Sequence, residues 1–388
     1  MKTRYFVYVV LATLGYPLMA QGFNARGMQP SDRDSSSFEY RLSSHQGDAY
    51  VDPSLGYGTC CDDCCDACDA APCCGSHRER WWSKWRSCNV YGSVDALFWH
   101  RTNDSFKQPF VVNANNGEQI YSTSDLDFQY EPGIRATIGL GHAGICCLPA
   151  FEITYLGIYD WDERVGATGD NLLSLAGDLG SVVNGFTLAE GIGTEYGSKL
   201  NSLETNYFGC ILETCCCDCY RRLEWLAGFR YLSLDEDLTT LGYNENVANA
   251  VYRIDTNNDL YGGQLGSRYR AFKGCWGFEA VGKAGIYGND SDQQQFIVDE
   301  LGVNDVVLRS ASASGGYTTF VGELGLSGIA KLTRRCSLRC GYNVMWIEGV
   351  ALAPNQLDFT DTNTSGTALR RNDGTFIHGF NFGLECGY

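Results

Sequence analysis

Past residue 20 this chain has no uncharged apolar run of about 18 residues, the length a helix needs to cross a bilayer. A helical membrane protein is thereby excluded. Proline is scarce, with only 8 residues in 388, so little interrupts extended strands. Basic charge is also short: 29 Lys and Arg against 46 Asp and Glu leave a formal charge of −17, which argues against a nucleic-acid partner. An acidic exterior speaks for solubility and cation contact only. No sequence-local Ser-His-acid arrangement and no zinc-protease motif occurs. The reading is therefore of a non-enzyme with no cofactor.

Glycine (46 residues) and tyrosine (23) are plentiful, aromatics make up 13%, and 44% of residues are hydrophobic although mean hydropathy is only −0.21. That mixture suits many strands with close backbone packing and aromatic girdles. The length allows one barrel plus an appendage.

Residues 1–20 read as an export signal: basic Lys2 and Arg4, an apolar stretch from Tyr5 to Leu18, and a small Ala20. Residues 21–88 read as a flexible, mostly unstructured periplasmic segment containing CCDDCCDACDAAPCC, with Cys60, Cys61, Cys64, Cys65, Cys68, Cys73 and Cys74. Behind it, Trp81, Trp82 and Trp85 interleave with Arg80, Lys84 and Arg86, which fits either a membrane-surface segment or the lead into an aromatic girdle. Nineteen cysteines outside the cytoplasm favour disulfides. The competing reading is zinc, since Cys61, Cys64, Cys65 and Cys68 contain two C-x-x-C spacings.

From Asn89 onward side chains alternate with period two, the mark of a sheet between two solvents. Leu223, Trp225, Ala227, Phe229 and Tyr231 fall on one face while Arg222, Glu224, Gly228 and Arg230 fall on the other. Leu338, Cys340, Tyr342, Val344 and Trp346 likewise oppose Arg339, Gly341 and Asn343. Ten strands are predicted near 89–101, 126–142, 150–160, 200–213, 222–234, 258–272, 276–288, 316–331, 337–349 and 375–388, with twelve also compatible. Long connections at 102–125, 161–199, 235–257, 289–315 and 350–374 alternate with short ones. This is the arrangement of an all-β, antiparallel transmembrane barrel of the bacterial outer membrane over 89–388, with short periplasmic turns and long external loops.

The ending adds a separate signal. Asn381, Gly383, Cys386 and Tyr388 fit a polar-x-Gly-x-x-apolar-x-aromatic pattern, by which a terminal strand offers itself to barrel assembly machinery.

EPGIRATIG (131–139), LAGFRYLSLDE (226–236), NNDLYGGQLG (257–266) and GKAGIYGN (282–289) resemble the β-barrel porin family abundant in planctomycete envelopes, itself similar to Legionella-type pore-forming outer-membrane proteins. The resemblance spans roughly 89–388 and implies an outer-membrane barrel and passive transport of small solutes.

On this topology Cys88, Cys146, Cys147, Cys210, Cys215, Cys216, Cys217, Cys219, Cys275, Cys336, Cys340 and Cys386 collect at the periplasmic rim. A disulfide network joining rim, prefix and neighbouring envelope molecules is expected. The lumen is expected to carry Asp95, Arg101, Glu131, Arg135, Glu152, Glu204, Glu224, Arg230, Arg268, Arg270, Glu279, Lys283, Glu323, Lys331 and Arg339. Mixed signs argue against strong ion selectivity, and ten strands leave little space. His100 and His378, at the external ends of the first and last strands, are the best geometric candidate for catalysis, with belt histidines the simpler account. The run DTNND at 255–259 lacks the glycine and closing Glu of a calcium loop and reads as a solvated loop. Two functions of different class remain: a passive pore, and a structural envelope protein whose filled barrel anchors a cross-linked prefix in contact with outer-membrane lipid.

Overall fold

The computed structural model describes residues 88–388 apart from 104, 143–149, 217–218, 245–247, 301–304, 334, 372 and 388. The expected export signal, the cysteine-rich prefix, Cys146, Cys147, Cys217, Tyr388 and the side chains of Cys88, Cys215 and Cys216 lie outside the described residues.

In chain order the strands are β1 (Cys88–Arg101), β2 (Pro109–Asn113), β3 (Gln119–Ser122), β4 (Tyr130–His142), β5 (Ala150–Leu175), β6 (Ala189–Cys216), β7 (Cys219–Asn244), β8 (Ala248–Lys273), β9 (Trp276–Glu300), β10 (Asp305–Lys331), β11 (Cys336–Val350) and β12 (Asp373–Gly387). One short helix, α1 (Leu179–Val182), lies between β5 and β6. From β4 to β12 each strand pairs antiparallel with the next, and β1 pairs with both β4 and β12. Ten strands thus close a ring, which leaves no barrel edge unpaired. The remaining two, β2 and β3, form a hairpin that pairs with the external part of β5 through Val111 and Leu175.

Alternation explains why these segments pair as they do. In β1 the buried Ser93, Asp95, Leu97 and Trp99 alternate with exposed Val94 and Phe98. The same inversion recurs round the ring, where Ile138, Leu265, Ile286 and Phe380 are exposed and Glu152, Arg268, Glu279 and Asn381 are buried. Large apolar side chains outside and charges inside are what a wall between hydrocarbon and a polar lumen requires.

The strands outrun the expectation. Most of 161–199, 235–257 and 289–315 is strand rather than loop, and the DTNND run lies inside β8. The reason is that the inner face of the external wall mixes polar with apolar residues, Thr194, Thr240, Thr256, Gln293 and Gln295 being buried beside Tyr196, Leu238, Tyr252 and Ile297. Ladder hydrogen bonds hold such strands without any hydrophobic alternation to betray them. β5 to β10, of 25 to 28 residues each, at about 3.4 Å per residue and a tilt near 40° make that side of the wall roughly 65 Å tall, against an apolar band of about 25 Å, whereas β1, β4, β11 and β12 have only 13 to 15 residues. The excess lies toward the long connections, the end that outer-membrane barrels turn outward and here termed external. The connections there are 102–129, 176–188, 245–247, 301–304 and 351–372.

Inside this projecting half sits an apolar core. Trp99, Phe110, Val111, Leu126, Phe128, Trp161, Leu175, Val183, Phe186, Tyr196, Leu238, Tyr252, Ile297, Ile347, Leu352 and Leu357 pack in one buried cluster. Strand residues supply the wall of this cluster, while 102–129, 176–188 and 351–357 supply its filling. The dense charge network thus lies in the half of the lumen nearer the short turns, while beyond it a few buried charges, Arg101, Glu236 and Arg309 among them, sit beside the apolar core.

Candidate functional site

Every strand of the ring sends a polar side chain into the half of the lumen nearer the short turns, the end that outer-membrane barrels turn to the periplasm. Glu323 on β10 binds Arg230 (3.0 Å) on β7, Lys283 (2.9 Å) on β9 and Arg135 (3.3 Å) on β4. Lys283 also reaches Glu204 (2.8 Å) on β6, whose other oxygen accepts from Gln264 (2.7 Å) on β8. Nearer the short turns, Arg268 on β8 joins Glu152 on β5 to Glu224 (2.7 Å) on β7, which Arg222 (2.7 Å) also binds. The Tyr91 hydroxyl on β1 donates to Glu152. Closest to the rim, Arg270 and Arg339 both clasp Glu279 and Glu385, with Arg339 2.6 Å from Glu385 on β12.

Some of these pairs join neighbouring strands, as Arg270–Glu279 and Arg268–Glu224 do, while Arg135–Glu323, Arg230–Glu323, Lys283–Glu204, Arg268–Glu152 and Arg270–Glu385 link strands that are not adjacent and so cross the lumen. Desolvating so many charges is tolerable only because each is paired and hydrogen-bonded. A cavity of about 90 Å³ remains, lined among others by Ser93, Asp95, Asn206 and Ser327. It has room for a few waters only. Asp95 Oδ1 and Arg339 Nε, both buried without a protein partner, line this end of the lumen.

Of the fifteen residues expected in the lumen, three stand apart. Glu131 has as its charged neighbours only Asp160 and Asp162 and joins no ion pair among the described residues. Lys331 is exposed and stacks over Phe272 at 4.7 Å. Arg101 is fully buried in the external half, paired with Glu236 and bonded to Thr375 (3.0 Å) and Tyr196 (3.3 Å). Position explains all three: the first two sit at strand ends, where water reaches them. Glu385, Tyr91, Arg222 and Glu236 were missed. Parity pointed to Glu385, since its neighbours Leu384 and Cys386 face outward.

A second polar set fastens the filling. Glu236 accepts from the Ala353 amide (2.7 Å). Asn258 brackets Ala351, donating to its carbonyl and accepting from its amide, both at 2.8 Å. Gln295 donates to the Gln356 carbonyl (2.6 Å), Gln293 to those of Gly366 (2.9 Å) and Ala368 (2.8 Å), and Arg309 to those of Asp358 (2.6 Å) and Thr360. Asp299 accepts from Asn184 and Gly185 amides at 2.8 and 2.9 Å, fixing 176–188. Gly185 is required there, because a Cβ would meet the Ala250 nitrogen at 2.5 Å.

Among the cysteines, Cys336 and Cys386 form a disulfide between β11 and β12. Cys219, Cys275 and Cys340 form no disulfide among the described residues. Gly383 and Asn381 of the terminal signal occupy β12, Asn381 facing inward. His100 and His378 are cross-strand partners on the outer face.

By fold the chain is similar to the outer membrane protease OmpT from Escherichia coli (10% identity, 77% of this chain and 97% of that chain, TM-score 0.42). It is similar too to the translocator domain of the autotransporter NalP from Neisseria meningitidis (11% identity, 77% and 88%, TM-score 0.30) and to a FadL homologue of Pseudomonas aeruginosa (9% identity, 78% and 90%, TM-score 0.23). No curated protein sequence matches it. A family model described as "Putative beta barrel porin-7 (BBP7)" matches residues 101–388. The match covers all of the ring but β1, so this chain belongs to the BBP7 family of porin-like outer-membrane β-barrels.

Proposed function

We propose that the protein is a closed outer-membrane barrel with a structural role in the envelope, presenting a rigid external wall and anchoring its cysteine-rich prefix on the periplasmic side. The observation that carries this reading is the double filling of the lumen. Charge pairs cross the periplasmic half, and an apolar core fastened by Glu236, Asn258, Gln295 and Arg309 occupies the external half. The rim cysteines are the attachment points for prefix and envelope neighbours, and the C-terminal pattern is the handle for assembly machinery. No catalytic role enters this reading.

The family's name supports the other reading, a passive pore for small solutes, and that pore requires 351–372 to leave the lumen. Planar-bilayer recording on the refolded full chain decides. A folded barrel that stays silent is the expected result; reproducible single-channel steps overturn the structural reading and establish the pore.

A further inference from the structure

The pair at the closing seam carries an inference that is independent of whether the lumen is open. His100 of β1 and His378 of β12 are direct partners in the antiparallel ladder. Their neighbours Trp99, Arg101 and Ile377 are buried inside, so alternation sets both imidazoles on the outer face. The ring centroids are 5.2 Å apart, tilted by 36°. Two imidazoles bound through nitrogen to one tetrahedral ion, with bonds of about 2.0–2.1 Å, hold their centroids about 5 Å apart. The spacing is already that of a bound pair.

The surroundings complete the case. The Tyr342 hydroxyl lies 2.6 Å from His378 Nδ1, which orients that ring and leaves Nε2 for a ligand, as an outer-shell partner does. Asp127 Oδ1 is 4.0 Å from His100 Nε2, close enough to supply oxygen after a small side-chain movement. His100 Nδ1 is buried without a partner. Tyr130 flanks both rings, at 5.3 and 6.0 Å, at the level where aromatic girdles meet headgroups. Among the described residues no three His, Cys, Asp or Glu side chains converge ready-made on one point, so the pair offers two ligands and leaves positions for water or Asp127.

We propose that His100 and His378 form an outward-facing site for a divalent transition ion of the zinc, nickel and copper class, for which imidazole is the suited ligand. Bound there, the ion ties the first strand of the ring to the last.

Cu²⁺ is the probe, added to the refolded full chain after its thiols have been alkylated. The expected result is one ion held at low micromolar concentration, with an electron paramagnetic resonance spectrum split by two nitrogens. His100→Gln or His378→Gln weakens binding at least tenfold and reduces the pattern to one nitrogen, whereas Asp127→Asn costs a few-fold at most. Both histidines face outward, and heat-shifted gel mobility verifies that each variant remains a folded barrel. Copper binding unchanged in the doubly substituted barrel, or a wild-type spectrum without paired nitrogens, overturns the proposal.

Discussion

Glu323 answers three cations at once, so its loss is felt more than that of any exposed charge. Glu323→Gln leaves Arg230 and Lys283 to Glu204 alone and Arg135 without its ion-pair partner. Removing one member of a buried network costs about 3–5 kcal/mol. The expected outcome is a lower midpoint of denaturant unfolding with an unchanged slope, while Lys331→Ala, at the exposed rim, stays within about 0.5 kcal/mol of the parent. Asp358 supplies the pH dependence. Burial pushes its carboxyl up, but hydrogen bonds from the Thr360 hydroxyl and the Thr360 and Gly366 amides, with Arg309 beside them, hold it below the ordinary range. A group lowered on folding stabilises above its unfolded pKa, about 3.9, and that support is lost as pH falls through the folded value. Amide exchange at Thr360 and Gly366, corrected for intrinsic rates, is therefore expected to be flat from neutral pH down to about pH 5 and to rise below about pH 4; Asp358→Asn removes the dependence. Parity along the strands made the inward charges legible at this scale. It could not say that Arg101 belongs to a different layer from Arg230, because depth along the lumen depends on strand tilt and stagger, which no single strand encodes.

At the scale of elements, the membrane-crossing halves were legible and the projecting halves were not. Where hydrocarbon meets a charged lumen, Trp225 and Phe229 alternate with Glu224 and Arg230, and the period is plain. In the external wall Thr240 and Asp237 face opposite ways and are equally polar, so the period vanishes although the ladder continues. The 351–372 segment reads as a loop because its anchors, Asn258, Gln295 and Arg309, lie on other strands far away in sequence. Gly185→Val is expected to unseat 176–188, since the added side chain collides with Ala250 backbone; limited proteolysis within 176–188 should become at least tenfold faster, with the ring intact. The Cys336–Cys386 bond closes a separation of 50 residues, for which loop-closure entropy gives up to about 4 kcal/mol. Paired serine substitutions should lower unfolding stability by about 2–4 kcal/mol and leave β11 and β12 paired.

For the whole molecule, two independent seals lie in series. A chain in which 353–370 is replaced by a short linker is expected to fold and to remain electrically silent, because the Glu323 and Glu279 networks still cross the lumen. Single-channel steps from that variant would show that the apolar filling alone keeps the barrel shut. Ring closure and the even strand number were legible from loop asymmetry, and the lumen's fullness was inferred from strand number and inward charge, but the apolar material filling its other half was not.

The sulfur bridge between β11 and β12 also has a mechanical meaning. Load applied at the carboxyl end enters the wall at Cys386 and crosses to Cys336 through a covalent bond, so β12 cannot be peeled from β11 one backbone contact at a time. A tether at that end would strain the wall as a stapled hairpin, and the weak seam under tension becomes the one between β12 and β1.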